Sequence, residues 1–88
     1  MRELRGESRI NPYQRAQAAI AELKLAVLEL LTAHSGTEGM TNAEIGKALG
    51  IYMGHIEHEG HISRTILTLL EREGLVEQNK LTKRWKAL

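Results

Sequence analysis

Cysteine is absent from this 88-residue chain. That excludes a disulfide framework, a thiolate metal site and a cysteine nucleophile. Phenylalanine is absent too, and aromatics are only 3% of the residues, so a core must come from Leu, Ile, Val, Met and Ala. That palette favours helices over a sandwich or barrel, which draw on β-branched and aromatic side chains. No apolar run approaches membrane-spanning length, and MRELRGESRINP lacks the apolar stretch of a signal peptide. A cytoplasmic chain with no membrane partner is therefore expected. There is no Gly-rich phosphate loop and no paired carboxylates in a plausible cleft, and Ser63 beside His61 lies within a helix and lacks an orienting acid at any distinctive spacing. The sequence thus predicts no enzyme, no cofactor and no catalytic residue.

At 42% hydrophobic and 26% charged, the chain has the balance of one small globular domain, near the lower limit for a working core. The net charge of +1 is compatible with a polyanionic partner but does not require one. Its distribution says more. Residues 78–88 hold Lys80, Lys83, Arg84 and Lys86 with no acidic side chain, and the first fifteen residues carry Arg2, Arg5, Arg9 and Arg15 against Glu3 and Glu7. Residues 1–10 show no periodicity and are expected to form a flexible basic arm.

Asn11-Pro12 has the form of a helix start, with a side-chain cap followed by a proline whose missing N–H matters least in the first turn. A long helix over 12–34 follows, free of Gly and further Pro and rich in Ala, Leu, Glu, Lys and Gln. Ala16, Ala19, Ile20, Leu23, Val27, Leu30 and Leu31 share one face of it. Ala18, Ala21, Leu25 and Leu28 fall on nearly the opposite side. Either other parts of the domain cover both sides, or the second stripe joins two copies helix to helix. The small size favours the homodimer.

After a Ser35–Gly39 loop, Thr41 with Glu44 forms a capping box for a short helix over 42–49, stopped by Gly50. A third helix is expected from about 58 to 73. Ile62, Ile66, Leu69 and Leu70 form its buried side, with Leu67 at the border and Gly74 at the end. Residues 75–88 then form a hairpin, LVEQ and KRWKAL around an Asn79–Thr82 turn. Trp85 is assigned to the core, on the first and third helices. The fold class is mainly α with a small C-terminal β-hairpin, residues 11–88 forming one domain.

The run from Ser63 through Leu70, Glu71-Arg72-Glu73, Gly74, Leu75 and Val76 follows TNAEIGKALGI, whose small residues permit close helix packing. In that order the sequence resembles the winged helix–turn–helix family of DNA-binding domains, over about residues 40–88. The resemblance implies double-stranded DNA as partner and transcriptional regulation as role. Opposite the apolar stripe of the third helix lie His61, Arg64, Thr65 and Thr68, compact donors of the kind that read the major groove, with Glu57 or His58 joining them if the helix begins earlier. Lys80, Lys83, Arg84 and Lys86 would set a positive wing against phosphates or a minor groove. One departure stands out: YMGHIEHE adds about eight residues between the second and third helices. A fainter similarity, to winged helices at the ends of restriction endonucleases, shares that long connection and the Lys/Arg–aromatic last strand. It implies an accessory role in a restriction or mobile-element system.

Two other functions fit parts of the sequence. A winged helix can serve as a protein–protein interaction module, since fold alone does not fix function. His55, His58 and His61, with Glu57, Glu59 and His34, offer imidazole and carboxylate ligands for a metal sensor. However, i, i+3, i+6 spacing spreads three ligands over about 120° of a regular helix, too far for one ion. No metal residue is therefore assigned.

Overall fold

Asn11 starts the first helix as its chemistry requires. Its side chain accepts the Gln14 N–H at 2.8 Å, and the Gln14 side chain accepts the Asn11 N–H at 3.3 Å. The computed structural model describes residues 11–53 and 59–88. Within them, α1 (Pro12–Ala33), β1 (Met40–Thr41), α2 (Asn42–Ala48), α3 (His61–Arg72), β2 (Val76–Gln78) and β3 (Arg84–Ala87) follow in order. The basic arm with Arg2, Arg5 and Arg9, and the segment with His55, Glu57 and His58, lie outside the described residues. Among the described residues no helix is long and apolar enough to cross a membrane.

The expected capping box of α2 is present, with Thr41 and Glu44 each bonding the other's backbone N–H. Both it and α1 end one residue early, at Ala48 and Ala33, where Leu49 and His34 act as C-caps. Helix α3 begins at His61 and ends at Arg72, tighter than the expected 58–73. Gly60 at φ 89° leads into it, and Leu75 N–H returns to Leu70 O at 3.0 Å across Gly74 to close it.

A strand was not expected at Met40–Thr41. It pairs antiparallel with β3, Met40 opposite Trp85 and Thr41 opposite Arg84. The sheet is therefore three-stranded, in the order β1-β3-β2. Its inner face carries Met40, Val76 and Trp85 onto Val27 and Leu31 of α1, Ile45 of α2 and Ile66, Leu67 and Leu70 of α3. Trp85 is a core residue, as expected. On α3 the centre of the buried side is shifted from the expected one. Ser63, Ile66, Leu67 and Leu70 are buried, whereas Ile62 and Leu69 are only half-buried. Leu67 thus moves from the border to the middle, because Ser63 rather than Ile62 faces α2.

Candidate nucleic-acid interface

The back of α3 is held by a polar pin. Ser63, fully buried, donates from Oγ to Asn42 Oδ1 at 2.8 Å and lies 3.2 Å from Gly60 O, which also accepts from Asn42 Nδ2 at 3.2 Å. The buried hydroxyl is satisfied by Asn42, which opens α2 at that level, with Gly60 O as a second acceptor. Gly46 makes the approach possible: a Cβ there would lie 3.1 Å from Ser63 Oγ and 3.0 Å from the Tyr52 ring. Lys47 Nζ in turn sits 5.2 Å above the Tyr52 ring centroid. Helix α3 is thereby fixed against α2 by a hydrogen-bonded contact that a larger residue at Gly46 would crowd.

Its opposite side is open. His61, Arg64 and Thr65 are exposed, and Thr68 is half-buried with Oγ1 donating to Arg64 O at 3.0 Å. The Arg64 guanidinium has no side-chain partner among the described residues, so no described side chain competes for its donors. Arg72 joins this stripe and was overlooked in the sequence, although His61, Thr65, Thr68 and Arg72 recur at the i, i+4, i+7, i+11 spacing of one helical face. Gly46 is among the small residues whose close packing the sequence predicts, whereas Asn42 and Tyr52 carried no sequence signal because their partners are distant in the chain.

The hairpin divides its cations. Arg84 does not present a free charge: its side chain is 29% exposed, with Nη1 donating to Gly39 O at 2.8 Å and to Glu44 at 3.1 Å and Nε 3.9 Å from Glu38. Lys86 is exposed but stands opposite Glu77 in the β2–β3 register. Lys83 is exposed with no ion-pair partner among the described residues. Lys80 is 70% exposed, reaching Gln78 Oε1 at 3.1 Å and lying 3.8 Å from Glu71 of α3. Contacts that loose and exposed hold little energy, but they locate the hairpin. Glu71 is two turns from Arg64 on the same edge of α3, so the hairpin lies beside the open side of that helix.

Glu44 is the one described group with a resolved pKa shift. It is held below the ordinary Glu value chiefly by the Thr41 backbone N–H, with burial opposing and Arg84 adding to the effect. A depression of about 510 Å³ on the outer sheet face is lined by Glu38, Glu77, Arg84 and Lys86 among others, a mixture of signs that compensates internally. For the metal hypothesis, no group of three or more His, Asp or Glu able to hold an ion occurs among the described residues. His34 Nδ1 lies 2.9 Å from Leu30 O, and His55, Glu57 and His58 are outside the description.

Of the α1 residues expected at a dimer contact, Ala18, Ala21 and Leu25 are exposed, and Leu28 is half-buried against the core. Leu28 therefore belongs first to its own domain. Compared with family models, curated proteins and solved structures, the chain matches none.

Proposed function

We propose that this chain is a winged helix–turn–helix protein that binds double-stranded DNA as a homodimer and serves transcriptional regulation. Helix α3 enters the major groove and the β2–β3 hairpin lies on the backbone. One observation carries the proposal: the exposed Arg64 and Thr65 lie on the side of α3 away from its pin by Ser63 and Asn42, beside a hairpin bearing Lys80 and Lys83. The element order and the β1-β3-β2 sheet support the winged-helix reading. Arg64 supplies the paired donors that match the O6 and N7 acceptors of guanine. Lys80, Lys83 and Lys86 neutralise phosphates, while Arg84 braces the wing instead of touching DNA.

Fluorescence anisotropy on duplexes selected from a random pool, across a salt series, tests this. Three phosphate contacts per protomer should give a log–log slope of about −3 for each half-site occupied. Arg64→Ala should weaken the preferred sequence by about 1–3 kcal/mol and relax preference at one position, whereas Lys80→Glu with Lys83→Glu should weaken all sequences alike. The internal pairing of Arg84 favours the protein–protein module as a second reading, since it removes one cation from the wing. Weak duplex binding that hardly varies with salt would support that reading and overturn the first.

A further inference from the structure

Leu81, at the apex of the β2–β3 hairpin, is 94% exposed. An exposed leucine is ordinary in itself. This one differs in how it is held and in what stands beside it. Asn79 Oδ1 accepts the backbone N–H groups of Leu81 at 2.8 Å and Thr82 at 3.1 Å, and Thr82 Oγ1 accepts that of Arg84 at 3.3 Å. Lys83, at φ 65°, donates its N–H to Asn79 O at 2.7 Å, and Asn79 N–H donates to Arg84 O at 2.8 Å. The apex is a turn closed on itself by hydrogen bonds, and it holds an apolar side chain out into solvent. A side chain so presented loses little backbone freedom on docking. Lys80 and Lys83 flank it, and the Lys80–Glu71 approach of 3.8 Å sets the apex beside the open edge of α3.

We propose that Leu81 is a wedge for the minor groove, entering beside the segment held by α3 and partly opening one base step. Lys80 and Lys83 take phosphates of the strands on either side. This rests on the DNA reading above and adds a means of recognition to it. The minor groove, about 6 Å wide, encloses a branched aliphatic side chain. Apolar wedges of this kind unstack a step and bend the duplex toward the major groove. Pyrimidine–purine steps open most readily. The wing would therefore favour a TA or CA step by its deformability, without a hydrogen bond to a base.

The test uses the full chain and end-labelled duplexes enriched by selection with it, reading affinity by anisotropy and end-to-end distance by energy transfer. Wild type should shorten the duplex. Leu81→Ser should bind about tenfold more weakly with an unchanged salt slope and leave the duplex straight, while Leu81→Met should retain the bend. Replacing the pyrimidine–purine step by a stiff A-tract should weaken wild type but not Leu81→Ser. If wild type does not bind duplex DNA, the DNA reading falls and the wedge with it. If wild type binds in a salt-dependent way but Leu81→Ser matches it in affinity and end-to-end distance, the wedge alone falls. The wedge is equally overturned if Leu81 is needed only for binding phosphatidylserine vesicles. At 94% exposure the substitutions leave the core untouched, and circular dichroism should confirm an unchanged fold.

Discussion

Gly36 and Gly39 lie three residues apart in the loop before β1, at φ +88° and +91°, yet they face different surroundings. A side chain at Gly36 would meet nothing within 4 Å, whereas one at Gly39 would put its Cβ 2.5 Å from the Trp85 carbonyl oxygen. The first position asks only for a left-handed backbone, which disfavours an L residue by about 1–2 kcal/mol. The second asks also that no atom stand between the loop and β3, where Gly39 O accepts from Arg84 at 2.8 Å. Gly36→Ala should therefore lower unfolding stability by about 1 kcal/mol, and Gly39→Ala by about 3 kcal/mol or more, because β1 must part from β3 as well. Urea unfolding of both variants separates the two effects. Equal losses would mean that backbone strain alone governs this loop and that the close approach to Trp85 carries no energy.

At the scale of elements, α2 is tied to the sheet through one carboxylate. Glu44 caps its own helix at Thr41 and also receives Arg84 from β3 at 3.1 Å, so its charge serves helix and sheet together. Because the folded-state pKa of Glu44 is lowered, its contribution is fully present above the unfolded value, about 4.3 for Glu, and is lost as pH falls through the folded value. Glu44→Gln should be less stable than wild type at pH 6, and the gap should be smaller at pH 3. A gap of the same size at both pH values would show that the carboxylate charge is not what joins α2 to β3. The same contact marks where the sequence stops being legible. Both capping residues could be read locally, as could α1, the third helix and the hairpin, because their signals lie within a few residues of one another. β1 could not, since two residues carry no periodicity and become a strand only by meeting Trp85 and Arg84. Arg84 was read with its basic neighbours for the same reason: its partners Gly39 and Glu44 are 45 and 40 residues away. On the open side of α3 the periodicity sufficed for His61, Arg64 and Thr65. The pin beneath them depended on Asn42 and could not be foreseen.

For the whole molecule, α1 is longer than the domain it serves. Its 22 residues extend about 33 Å, but residues 12–19 are all exposed and burial begins only at Ile20. Tyr13 and Ala16 continue the line of Val27 and Leu31 past the end of the core, while Ala18, Ala21 and Leu25, the last 53% exposed, lie on the other side. A helix end this apolar on both sides is suited to the helix-to-helix contact of the proposed homodimer. The exposed stripe from Ala18 to Leu25 spans about 10 Å of helix axis, so two crossing copies bury well under the roughly 800 Å² per partner of a standard interface. The dimer should accordingly be weak and concentration-dependent. In sedimentation velocity the weight-average mass should climb from the 9.9 kDa of one chain toward twice that value over the micromolar range. Leu25→Glu with Ala18→Glu should hold the protein at the monomer mass with an unchanged thermal melt, since neither side chain is buried and both substitutions are compatible with a helix. On a duplex with two half-sites the paired substitution should lose cooperativity while each half-site keeps its own affinity, because α3 and the hairpin are untouched. A wild-type mass that stays monomeric up to about 100 μM, where a contact of about 5.5 kcal/mol would already be half-populated, would remove the dimer and leave a single domain acting on a single site.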